Sequence, residues 1–155
     1  MMRFSMTVYS VLIAASLALT LIPSTQAQVP AWGRRYNKQQ IERTIARMET
    51  NTDDFKRYID GALNRSAIDQ LPAEDRVWER VSDFERATNQ LRARFNQTDS
   101  WWETRNEVQV VLQSAQRTNR VINRYRQYLN IRGRWNVIKR DLNTLARYYD
   151  LQPIR

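Results

Sequence analysis

The sequence predicts an all-α protein, an antiparallel up-down-up-down four-helix bundle with a shorter fourth helix, preceded by a signal peptide. Three observations carry that expectation. Apolar residues recur at alternating steps of three and four in four separate segments, the pattern of helices that share a buried seam. No stretch after residue 27 alternates with period two for long enough to make a strand. The linkers between the four segments are only a few residues long, which makes consecutive helices antiparallel neighbours.

The first element is the N-terminus. Arg3 precedes an apolar run at residues 8–22, and the short side chains of Pro23-Ser24-Thr25-Gln26-Ala27 follow, the layout of a secretory signal peptide over residues 1–27. Small residues at Thr25 and Ala27 put the expected cleavage after Ala27, so that an exported, periplasmic or extracellular product starts at Gln28. An uncleaved anchor is the competing reading. The apolar run sits near the lower limit of about 17 residues for a span, and the small-residue exit favours cleavage, leaving no integral membrane span. With no cysteine there is no lipoprotein anchor and no disulfide.

Residues 28–36 form a flexible or end-covering segment, residues 37–150 the helical bundle and residues 151–155 a C-terminal tail. The first helix carries Ile41, Ile45, Met48, Thr52, Phe55, Ile59 and Ala62 on its seam and opens with a capping box, Asn37-x-x-Gln40. The second carries Val77, Val81, Phe84, Thr88, Leu91 and Phe95, with Pro72, Glu74 and Asp75 suited to its first turn. It matches the first helix at an offset of 36 residues, a match that shared heptad constraint largely accounts for. The third reads Val108, Val111, Ala115, Thr118, Ile122, Tyr125 and Leu129, opens on a second box, Ser100-x-x-Glu103, and leaves through Asn130 to Gly133, which can supply a positive-φ exit. The fourth reads Trp135, Ile138, Leu142, Leu145 and Tyr149, and Pro153 bars any continuation. Threonines on the seam can bond carbonyls of their own helix and act as spacers.

The first three helices should run for roughly 25 to 30 residues and the fourth for about 17, which leaves one end without a fourth helix. Trp32, Trp101 and Trp102 fall at that end. Two readings follow: Trp32 folds back to fill the gap, or the three indoles form an exposed contact patch.

Charge is unevenly spread. Residues 28–104 hold 13 basic and 13 acidic side chains, whereas residues 105–155 hold 11 basic and three acidic. No acid occurs between residues 108 and 140. Arg117, Arg120 and Arg124 project opposite the seam of the third helix, and Arg140 and Arg147 opposite that of the fourth, so adjacent helices would fuse them into one basic face. Arginine forks suit phosphates and carboxylates, and Tyr128 and Tyr148 stand near enough in sequence to flank a ligand. A merely solvated surface is the alternative, since the chain has 22 Arg and three Lys.

The absence of His and Cys excludes zinc fingers, thiol nucleophiles, imidazole-based triads and His-ligated haem or di-metal centres. Asp53-Asp54 and Glu74-Asp75 are adjacent in sequence and so point about 100° apart on a helix, too divergent to flank one bond. Three glycines leave no phosphate loop. The expectation is a non-enzyme without cofactor or metal.

The string Trp135-x5-Asp141-Leu142-x2-Leu145-Ala146-x2-Tyr149 resembles the ending of small exported helical bacterial proteins of uncharacterised activity, and implies no chemistry of its own. Small, basic, helical periplasmic chaperones of the envelope stress response are a looser comparison, because their Leu-Thr-x-x-Gln motif is absent here. The sequence thus points to a bundle whose basic third and fourth helices engage an anionic envelope polymer, lipid headgroups or an acidic protein. The alternatives are a self-assembling adaptor that uses the aromatic end and a chaperone-like protein. Without a groove-reading motif, sequence-specific nucleic-acid binding is not expected.

Overall fold

A computed structural model describes residues 29–155, so the signal-peptide reading of residues 1–27 lies outside the described residues. Four α-helices, α1 (Lys38–Leu63), α2 (Pro72–Asn96), α3 (Arg105–Tyr125) and α4 (Arg132–Tyr148), pack about one apolar core, and no strand occurs among the described residues. α1 and α2 have 26 and 25 residues and α4 has 17, while α3, at 21, is shorter than its heptad pattern predicts.

Polar contacts give the directions. Lys38 donates to the Thr98 carbonyl and Lys56 pairs with Glu85. The Thr118 hydroxyl reaches the Arg80 carbonyl, while Arg76 reaches the Tyr125 hydroxyl. Arg47 pairs with Asp141, and Tyr58 donates to the Asn130 carbonyl. In each case residue numbers rise along one helix as they fall along the other. α2 packs along α1 and α3, and α4 packs along α1, whereas α3 and α4 approach each other far less.

The Asn37 box is formed in both directions, with the Asn37 side chain accepting from the Gln40 amide at 2.9 Å and the Gln40 side chain accepting from the Asn37 amide at 3.1 Å. Pro72 occupies the first turn of α2 ahead of Glu74 and Asp75. The Ser100 box does not form. Thr98 takes its place, its hydroxyl accepting from the Ser100 amide at 3.1 Å and lying 3.1 Å from Glu103 Oε2, and residues 101–104 wind as a 3₁₀ turn before α3 begins. The expected positive-φ exit from α3 over Asn130 to Gly133 is also absent: α3 stops at Tyr125, none of these residues takes a positive φ, and Gly133 lies inside α4. Positive φ falls instead on Gln70, just before the α2 cap, and on Asp150.

The seam residues are buried along all four helices except Ala62 and Tyr125, which are partly buried against the core, and Leu129 and Ile131 extend the core into the α3–α4 turn. Every named residue of the α4 string is buried as well, Trp135, Asp141, Leu142, Leu145, Ala146 and Tyr149. Asp141 is the unusual member. Its carboxylate accepts from Arg47 Nε and Nη2 at 3.0 and 2.6 Å and from Asn51 Nδ2 at 3.1 Å, tying α4 to α1.

The open end is filled. Residues 31–35 fold back as a 3₁₀ turn, and the Trp32 ring lies 5.6 Å from Trp101 and 6.0 Å from Tyr149. Trp101 is only 4% exposed, and Trp32 and Trp102 are half-buried, so an exposed patch centred on Trp101 does not exist. Gly33 lets the turn approach closely, since a Cβ there would stand 3.2 Å from the Trp101 ring and push it by a few tenths of an ångström.

Residues 151–155 are not a loose tail. Leu151 N donates to the Ala146 carbonyl at 2.8 Å across Asp150, at φ 51°, in a Schellman-type helix ending. The chain then enters the cleft between α3 and α4. Ile154 is buried there, its amide and carbonyl held by the Asn143 side chain at 2.9 and 3.3 Å, while Asn119 donates to the Arg155 carbonyl at 2.7 Å. This inserted segment is why α3 and α4 stand apart.

Candidate anion-binding site

On α3, Arg117, Arg120 and Arg124 recur at steps of three and four and therefore share a face. Thr118 packs that helix onto α2, its buried hydroxyl 2.9 Å from the Arg80 carbonyl. The consequence is a groove of about 310 Å³ between α2 and α3, lined by Arg76, Arg80, Arg117, Arg120, Arg124 and Tyr125 together with Val121. Arg80 is neutralised on its own helix by Asp83 at 3.2 Å and Glu79 at 3.7 Å. Among the described residues no carboxylate lies within 4 Å of the basic groups of Arg76, Arg117, Arg120 or Arg124. Arg76 is 3.4 Å from the Tyr125 hydroxyl, and that hydrogen bond, with the field of Arg124, holds the phenol below its ordinary pKa.

The structure therefore moves the basic site. Arg117, Arg120 and Arg124 come together as expected, but their neighbours are Arg76 and Arg80 of α2 and not Arg140 and Arg147 of α4. Arg140 and Arg147 are exposed on α4 and line no part of the groove. The inserted segment separates the two helices, and Gln152, Pro153 and Arg155 border the far side of Arg120. Tyr148 packs against Tyr36 with ring centroids 4.6 Å apart and planes tilted by 58°, and it lines no part of the groove, while Tyr128 is exposed in the α3–α4 turn. Arg76 and Arg80 escape a charge count by segment because acids elsewhere in the first half balance them. Their i, i+4 spacing is the signal that marks them as one face.

A larger groove of about 470 Å³ lies between α1 and α2, but both of its basic groups are paired with acids. Lys56 meets Glu85 at 3.0 Å and lies over the Trp78 ring, and Arg57 pairs with Asp54 of α1. Asp53 in this groove is held above its ordinary pKa by burial and by the Glu85 charge. Its lining, three acids against two bases, offers no surplus of cations to attract an anion. Among the described residues no group of three or more acids is placed to hold a metal, and no helix is long and apolar enough to cross a membrane. Comparison with protein-family models, curated proteins and solved structures finds no match to this chain.

Proposed function

We propose that this chain is an exported, non-catalytic antiparallel four-helix bundle that binds an anionic polymer or lipid headgroups of the cell envelope through the α2–α3 arginine groove. One observation carries the reading: five guanidinium groups border a single groove, and four of them have no carboxylate partner among the described residues. Crowding like charges on one face opposes folding, so stability gives no reason for the arrangement. Fork-shaped donors at several points along a groove fit a ligand with repeated phosphate or carboxylate groups better than a single ion.

The test is sedimentation of the protein with anionic and neutral lipid vesicles and with an anionic cell-wall polymer across a salt series. Substituting Arg117, Arg120 and Arg124 together with Gln should weaken anionic binding at least about tenfold, the worth of roughly 1.4 kcal/mol, and flatten its salt dependence. The double variant Arg140→Gln/Arg147→Gln should lose much less. Equal binding by wild type and the triple variant, or binding indifferent to salt, would overturn the proposal.

A further inference from the structure

A second basic feature lies on the other side of α3, in the half of the α3–α4 cleft that the C-terminal segment leaves open. We infer that this cavity is a binding site for a compact apolar carboxylate, a free small acid with one ring or a short branched chain. The cavity measures about 170 Å³. Its floor is Ile122, Ile131 and Trp135, all nearly fully buried, and its rim carries Arg126, Arg132 and Lys139. No acid lines it, and among the described residues none of the three cations has a carboxylate within 4 Å.

The cavity has a structural cause. Ile154, clamped by Asn143 while Asn119 holds the Arg155 carbonyl, holds α3 and α4 apart without filling the space beyond Asn119. Trp135 cannot swing in to close it. Its Nε1 donates to Asn119 Oδ1 at 2.8 Å, and its ring is packed 5.5 Å from Phe55 and 5.7 Å from Phe84. The same cleft already accepts one branched apolar side chain, that of Ile154.

Size and charge together define the ligand. An apolar cavity of about 150 Å³ admits benzene, so this one accommodates a body of six to ten non-hydrogen atoms, by the same rough measure. A neutral apolar molecule would leave three cations unanswered. An inorganic anion would leave the apolar floor bare. A carboxylate on a small apolar body satisfies both, with arginine forks at the rim to receive it.

The test uses benzoate as the probe, with acetate and benzyl alcohol as the charge-only and ring-only controls. In NMR titrations of the full protein, benzoate should shift the Trp135 indole N–H and the methyl signals of Ile122 and Ile131 saturably. Each control should bind at least about tenfold more weakly, the worth of one charge-assisted hydrogen bond or of a buried ring. Lys139→Gln and Arg126→Gln should each weaken benzoate about fivefold or more, while Arg117→Gln/Arg120→Gln/Arg124→Gln should leave it unchanged, which separates this site from the α2–α3 groove. No saturable shift, or a shift produced equally by either control, would overturn the inference.

Discussion

Thr52, Thr88 and Thr118 occupy seam positions and are all fully buried, yet their hydroxyls have three fates. Thr88 bonds the Phe84 carbonyl of its own helix at 3.0 Å. Thr118 lies between its own Ser114 carbonyl and that of Arg80 on α2. Thr52 has no partner. A buried orphan hydroxyl costs about 1 to 3 kcal/mol, and an isosteric apolar side chain removes that cost. Thr52→Val should therefore raise stability by about 1 kcal/mol and Thr118→Val should lower it by a similar amount, both read as shifts in urea midpoint at constant m. Tyr149 makes a pH prediction. It is fully buried at the closed end, its hydroxyl 2.8 Å from Thr104 Oγ1 and 3.2 Å from the Trp101 carbonyl, and burial raises its pKa well above the ordinary value. A raised phenol pKa means the unfolded chain loses its proton first, so this contribution is intact below about pH 10 and drains away as pH climbs toward the folded value. Chemical denaturation at pH 8 and above 10 should show a steeper alkaline loss for wild type than for Tyr149→Phe, those pH values taken about the ordinary tyrosine pKa of roughly 10.

Among the elements, α1 and α2 are the most legible in the sequence, because their caps act within four residues and their seams follow a strict repeat. The Asn37 box and Pro72 needed no tertiary information. The Ser100 box had the right letters and failed because Thr98, two residues earlier, competes for the same amide and the same glutamate. The end of α3 was hidden because Leu129 continues the heptad while sitting in the turn, where it is buried all the same. The C-terminal segment was the least legible, since five residues beyond a helix stop look like solvent-exposed chain. Its signal was the pair Leu151 and Ile154, apolar residues without a helix to serve, opposite asparagines at 119 and 143. Asn143→Ala should free the Ile154 amide, seen as loss of hydrogen-exchange protection there, and Ile154→Ala should cost about 2 kcal/mol by thermal or urea unfolding. Similar exchange in wild type and Asn143→Ala would mean that the clamp is not formed in solution.

Across the whole molecule, charge is organised by space and not by position along the chain. Arg76 and Arg80 belong to a half whose acids cancel its bases, yet they stand beside Arg117 and Arg124. This is why the arginines of α3 were legible as a set and their partners were not: a running charge balance mixes opposite faces of each helix. Lowering ionic strength lengthens the range of repulsion, from about 8 Å at 0.15 M to about 30 Å at 0.01 M. Wild-type Tm should therefore fall at low salt, while the Arg117/Arg120/Arg124→Gln triple variant should lose less, a difference that paired thermal melts would detect. The buried Asp141 cluster acts at the same scale through time. Its partners Arg47 and Asn51 lie 94 and 90 residues away in sequence, whereas α1–α2 and α2–α3 close through short connections. Distant contacts carry the larger loop-closure cost and form late. The seam between the first and last helices is thus a kinetic latch: Asp141→Asn should multiply the unfolding rate in stopped-flow experiments and leave the folding rate almost unchanged, so the carboxylate governs how long the closed molecule lasts more than how quickly it is made.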